Sequence, residues 1–237
     1  MKILSIIGSP RVDGNTRFLA GKFAEGAMSA GASVEEVILQ KVKVGPCIDC
    51  DRCNQDGVCK LDDDFGSIVD KMKACDGVLL ATPVYCCGVT AQMKAFIDRS
   101  NSLMHPFCES GMEGKPAAFI VCAGYPPPET GNIEVNHKAR LETMLGILKE
   151  MKALEANVTA RYLIDTTKPF DPTADTLKTL YRFCVFLRMQ ALGLMEAVSL
   201  GHNKDAVKDR QAEIERAISL GVMFTNMARL IKDKMLV

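Results

Sequence analysis

Cys47, Cys50, Cys53 and Cys59 follow one another as Cys-x2-Cys-x2-Cys-x5-Cys. A thiolate is the form of cysteine that binds metal, and two-residue gaps let such groups converge on one tight turn. The longer gap carries Gly57, which can swing Cys59 across to close the set. Four thiolates suit either zinc or an iron–sulfur cluster. Zinc sites usually pair two separated Cys-x2-Cys knuckles, whereas three cysteines at successive two-residue gaps look more like cluster ligation. On these residues alone, a zinc site or a set of reversible thiols stays open. The acids around them, Asp49, Asp51, Asp62, Asp63 and Asp64, read as solvated surface and a helix start.

A second constellation is Gly8-Ser9-Pro10-Arg11-Val12-Asp13-Gly14-Asn15-Thr16. It follows an apolar run and precedes a helical pattern that begins at about Thr16. Unpaired N–H groups at a helix start, together with the helix dipole, favour an anion there. Ser9, Asn15 and Thr16 add short polar side chains, Arg11 adds a positive fork, and Gly14 allows close backbone approach. The competing reading is an ordinary strand-to-helix turn capped by Thr16. The loop is neither a G-x-G-x-x-G nor a P-loop, which points away from tightly bound NAD and from a triphosphatase.

The elements that must position these groups alternate. Residues 2–8, 33–40, 76–82 and 116–122 read as strands, and most are near-continuous apolar runs suited to burial on both faces. Residues 16–30, 64–74 and 91–103 read as helices, with another from about 133. That alternation implies βαβ units and a parallel sheet with helices on both faces. Towards the carboxyl end, residues 194–200 read as the fifth strand, with 158–164 as the other candidate. Residues 174–192 read as a helix. A closing amphipathic helix spans 205–232, with Ile214, Ile218, Val222, Met223, Met227 and Leu230 expected on the sheet.

Composition narrows the classes. Hydrophobic residues make up 48% of the 237, enough for a full core, and Lys plus Arg balance Asp plus Glu at 29 each. No basic stripe is present to meet nucleic acid. No apolar run approaches the ~18–20 residues that cross a bilayer, and residues 1–8 are too short for a signal peptide. A cytoplasmic protein is expected. Ten cysteines in a reducing compartment point to metal or redox chemistry rather than a disulfide framework. Cys75, Cys86, Cys87, Cys108, Cys122 and Cys184 read mostly as small core residues. His105, His137 and His202 form no nucleophile–base pattern. Neither a Gly-x-Ser-x-Gly elbow nor a His-Glu-x-x-His motif occurs.

The run Gly-Ser-Pro-Arg-x-x-Gly-Asn-Thr resembles the phosphate loop of the NADPH-dependent FMN reductase group of flavodoxin-like proteins. Thr82-Pro83-Val84-Tyr85, followed by Thr90-Ala91-Gln92-Met93-Lys94-Ala95-Phe96-Ile97-Asp98-Arg99, is similar to that family's flavin-ring loop and the helix after it. The resemblance covers roughly residues 1–125. It implies a flavodoxin-like, doubly wound, five-stranded parallel sheet of order 2-1-3-4-5 with helices on both faces. Residues 1–237 would form one FMN-binding domain, with a Cys-rich loop at about 44–61 and an insertion at about 153–192. In such sheets the ligand lies beyond the carboxyl ends of the strands, at the switch point.

The resemblance therefore places the FMN phosphate on Ser9, Arg11, Gly14, Asn15 and Thr16, and lines the ring with Pro83, Val84 and Tyr85. Cys86 and Gly88 continue that loop, where Cys86-Cys87-Gly88 departs from the family's glycines and aromatics. Ala123 and Gly124 stand for its third, Gly-rich loop. The cysteine pattern resembles that of the iron–sulfur flavoproteins, which hold a 4Fe–4S cluster and form dimers or tetramers with one subunit's cluster near a neighbour's flavin. The expected function is electron transfer between FMN and the cluster, with no residue needed as acid or base. A small molecule or a ferredoxin-like protein would be donor or acceptor. The alternatives are an NAD(P)H-dependent reductase of FMN or quinones without a cluster, and a non-catalytic thiol or zinc sensor.

Overall fold

The computed structural model describes residues 1–104, 110–124 and 173–235. Five strands, β1 (Lys2–Ile7), β2 (Ser33–Ile38), β3 (Gly77–Pro83), β4 (Pro116–Cys122) and β5 (Gln190–Ala197), form one sheet in the order β2-β1-β3-β4-β5. All four pairings are parallel, as in Ile6 against Val37 and Leu80 and Ala81 against Ile120. This is the doubly wound order expected, with its switch point between β1 and β3.

β1, β3 and β4 are enclosed on both faces because their residues are almost all apolar. One face carries α1 (Asn15–Ser29) and α5 (Gln211–Met235), which bury Leu19, Phe23, Leu220 and Phe224 against Ile3, Leu79 and Ile120. The other carries α2 (Phe65–Ala74), α3 (Ala91–Arg99) and α4 (Ala174–Phe186) over Leu4, Leu80 and Phe119. Phe65, Phe96 and Phe183 form a tilted aromatic row across that layer, with centroids 5.9 and 6.0 Å apart. Each such side chain, fully buried, contributes about 1.5–3 kcal/mol.

The differences from expectation have physical causes. β5 begins at Gln190, four residues ahead of the expected 194, and ends at Ala197, three ahead of 200, and α4 stops at Phe186 rather than 192. β5 is an edge strand, half-exposed and irregular, with a register shift opposite Ala117 and Ala118. Its alternation is correspondingly weak. The other candidate, 158–164, and the helix from about 133 lie outside the described residues, as does the first half of the segment read as an insertion.

On α5 the buried residues are Ala217, Leu220, Gly221, Phe224, Thr225 and Ala228, not the six larger residues expected there. Met223, Met227 and Leu230 are exposed, and Ile214, Ile218 and Val222 half-buried. Small residues decide that face, because α1 and α5 cross almost in backbone contact. A methyl group on Gly26 would lie 2.0 Å from the Ile218 carbonyl oxygen, and one on Gly221 would lie 2.1 Å from that of Phe23.

Candidate functional site

Ser9 closes the turn after β1. Its hydroxyl donates to the Arg11 carbonyl and accepts from the Arg11 N–H, each at 3.1 Å. The first helical bond of α1 runs from the Phe18 N–H to the Gly14 carbonyl. The N–H groups of Asn15, Thr16 and Arg17 thus stand ahead of the ladder, and no side chain caps them. That is a helix N-terminus open to an anion.

Asn15 does something its type alone did not reveal. Its amide donates to the Asn203 carbonyl at 2.8 Å and accepts from the Val207 N–H at 3.1 Å. Arg11 donates to the His202 carbonyl at 3.0 Å, and Lys204 pairs with Asp13 at 2.9 Å. The phosphate loop is therefore fastened to the segment after β5 at three points.

On the other side, the Val84 N–H donates to the Cys122 carbonyl at 2.8 Å, extending β3 by one residue. Tyr85 and Gly88 then exchange two backbone bonds of 2.9 Å. Cys86 and Cys87 fill the two central positions, with φ of 48° and 61°. Both lie in the left-handed region that two-residue turns of this hand demand and that Asn and Gly usually fill. The third wall comes from β4. The Leu200 N–H donates to the Ala123 carbonyl at 3.1 Å, and the Gly201 N–H to that of Gly124 at 2.8 Å.

These loops enclose one cleft of about 510 Å³ at the carboxyl ends of β1, β3, β4 and β5. The size is typical of a cofactor site. Every expected flavin residue lines it except Gly88, which closes the turn behind Tyr85. Leu200, Gly201, His202 and Lys204 line it too, and the sequence reading missed them. They carry no motif and reach the cleft only because β5 ends beside β4. Thr16 is buried and hydrogen-bonds the Cys122 thiol, whose pKa is pushed by burial up to about 12. Cys75, Cys122 and Cys184 are core residues as expected, whereas Cys86 is exposed at the cleft and Cys87 half-buried. Cys108, His105 and His137 lie outside the described residues.

The four clustered cysteines line a second pocket with Arg99 and Asn101. Asp49 and Asp51 at left-handed φ, a short 3-10 turn over Arg52–Asn54, and a Gly57 N–H bond to the Cys53 carbonyl at 2.8 Å wind the loop around it. Burial pushes the Cys53 thiol up, while a hydrogen bond and the charge of Arg52 hold Cys50 below its usual value. Among the described residues, no three His, Cys, Asp or Glu side chains stand close enough together to grip one metal ion. The donor types and their shared pocket fit a thiolate-bound group; a ready-made clasp is not what the structure shows.

The family model described as NADPH-dependent FMN reductase matches residues 1–144. The chain belongs to that family. It is 41% identical over 103 residues to an iron-sulfur flavoprotein of Methanocaldococcus jannaschii, covering 44% of this chain and 53% of that one. With an iron-sulfur flavoprotein of Methanosarcina thermophila it shares 40% over 100 residues, 42% of this chain and 52% of the other. It thus spans about half the length of the curated relatives it matches. Among solved structures, it superposes on an FMN-dependent NADH-azoreductase from Bacillus anthracis in complex with FMN. The TM-score is 0.61 at 12% identity, over 95% of this chain and 100% of that one, a likeness of fold. No described helix is long and apolar enough to cross a membrane.

Proposed function

We propose that this chain is an FMN-dependent oxidoreductase that passes electrons between FMN in the cleft and a 4Fe–4S cluster on Cys47, Cys50, Cys53 and Cys59. One observation carries the reading. The phosphate loop and the Tyr85 loop line one cleft, while the four cysteines line a second pocket joined to it by the single helix α3. When bound, FMN supplies one- and two-electron chemistry and the cluster one-electron chemistry.

The chain's own residues bind and orient. The start of α1, with Ser9, Arg11 and Lys204, offers N–H groups and positive charge to a phosphate. Pro83, Val84 and Tyr85 wall the ring on one side, and Ala123 and Gly124 close the other. Burial keeps the Cys122 thiol, which also lines the cleft, in its neutral form. A ferredoxin-like protein or a small molecule serves as donor or acceptor, and the working unit is a dimer or tetramer.

Anaerobic purification tests this directly. A brown protein with FMN, iron and sulfide is expected. A yellow protein that takes up no iron on reconstitution removes the cluster, and a colourless one that refuses FMN removes both cofactors. The family description supports a second reading, an NAD(P)H-dependent reductase of FMN or quinones without a cluster. Rapid bleaching of the flavin by NADPH but not by reduced ferredoxin would favour it. Replacing Cys50 with Ser separates a thiol or zinc sensor, since only then would partner binding change with electron transfer intact.

A further inference from the structure

Arg99 is 2% exposed, the most enclosed charged side chain among the described residues. It ends α3, the helix whose other end is capped by Thr90 beside the flavin cleft. Its guanidinium is held on three sides. The two terminal nitrogens grip Asp63 at 2.7 and 3.0 Å, one of them also donates to the Gly45 carbonyl at 3.2 Å, and its face lies 4.8 Å from the centre of the Phe65 ring. Asp63 in turn accepts from the Gly45 and Phe65 N–H groups. These contacts alone fix the fork. A further donor, Nε–H, points at the Cys59 sulfur, 3.1 Å away.

We propose that Arg99 is a positioning residue for the cysteine loop, holding the Cys59 sulfur by an Nε–H bond and raising the ease with which a cluster on that loop accepts an electron. The proposal rests on the cluster reading above. A ligand sulfur that receives an N–H bond donates less negative charge to iron. One-electron reduction adds a negative charge that this bond and the buried cation both stabilise. No bond forms or breaks in that step; the electron comes from the reductant. Arg52, whose Nε lies 3.5 Å from the Cys50 sulfur, is exposed and its contribution is screened by water. The geometry of Arg99 also explains why an arginine stands here. Only a fork can hold a carboxylate with two arms and still present a third donor at a fixed angle, which the single ammonium of lysine cannot do.

The test compares the FMN-loaded, anaerobically reconstituted full chain with its Arg99→Lys variant, by potentiometric titration with dithionite followed by EPR. Lysine keeps the charge opposite Asp63 and loses the bond to sulfur. The variant should need a lower potential, with about tenfold less reduced cluster at a given setting. That corresponds to ~59 mV for a one-electron couple. The FMN potential should stay where it is, a pattern that mere loosening of the fold would not give. Equal cluster potentials in the two proteins overturn the role of Arg99 while leaving the cluster reading intact. Wild-type protein that takes up no iron overturns the cluster reading, and this proposal with it. Should Arg99→Lys fail to fold, pulsed EPR on reduced Arg52→Lys protein labelled with 15N-arginine decides. A nitrogen coupled to the cluster spin is expected, and its absence overturns the proposal.

Discussion

The Thr90 hydroxyl donates to the Gly8 carbonyl at 2.5 Å and accepts the Met93 N–H at 3.2 Å, in a fully buried position. One side chain thus caps α3 and ties it to the root of the phosphate loop. Thr90→Val keeps the shape and leaves a buried carbonyl and a buried N–H without partners, a loss of about 1–3 kcal/mol. For a chain of this size each kcal/mol is worth roughly 2–4 °C in the melting midpoint. Thermal unfolding of the FMN-loaded variant should show that drop. FMN affinity should fall as well, because the loop is no longer held at its base.

Asn15 gives a prediction with a different signature. Its amide spends both halves on Asn203 and Val207, so Asn15→Ala releases the segment after β5 from the phosphate loop. FMN binding, followed by quenching of flavin fluorescence, should weaken severalfold through faster release. The melting midpoint of the FMN-free protein should move less than in Thr90→Val, since both bonds are exposed to solvent or nearly so. Equal FMN affinity in Asn15→Ala and wild type would show that the fastening does not shape the cleft.

Much of the site was legible because two loops carry their chemistry in consecutive residues. Ser9 to Thr16 and Pro83 to Tyr85 each follow a strand whose apolar run, closed by Gly or Pro, is unmistakable. β4 was bounded correctly by Pro116 and Cys122 for the same reason. Lys204 and His202 were illegible, since their place depends on where an edge strand ends, and β5 has neither a clean alternation nor a turn signal. Cys86 was expected in the flavin loop and lines the cleft; that it and Cys87 form a tight turn with paired left-handed φ values is what their apolar neighbours concealed. On α5 the eye follows large apolar side chains, whereas the contact with α1 runs through Gly221 and the Ile218 backbone. Arg99 ends a helix motif in which nothing local marks it out. Its importance lies in contacts with Cys59 and Asp63, about forty residues away in the chain, that no local pattern encodes.

The helix crossing makes opposite predictions for two glycines on one face of the sheet. Gly221→Ala forces a methyl group into the α1 backbone at Phe23, and backbone cannot move aside cheaply. A loss of about 1–3 kcal/mol or more is expected as a lower urea midpoint. Gly21, in the middle of α1, has nothing within 4 Å of an added methyl. Gly21→Ala should stabilise by about 0.5–1 kcal/mol through the helix entropy it saves. If Gly221→Ala is tolerated as well as Gly21→Ala, the crossing is looser than 2.1 Å implies.

Alkaline pH should unfold the protein through two thiols. Burial pushes Cys122 and Cys184 from the usual 9.0 up to about 12 in the folded chain. Between those values the unfolded chain has released both protons and the folded chain has kept them. The unfolded state then binds fewer protons, so stability falls as pH rises. The contribution is fully present below pH 9 and is lost progressively towards pH 12, at about 1.4 kcal/mol per pH unit for each thiol. Urea midpoints at pH 8, 9.5 and 10.5, taken under reducing conditions, should trace that slope. Cys184→Ala removes one of the two titrating groups at the cost of a small cavity. It should start less stable at pH 8 yet decline with pH at a visibly shallower rate. A decline as steep as in wild type would mean that the Cys184 proton is not what the folded core protects.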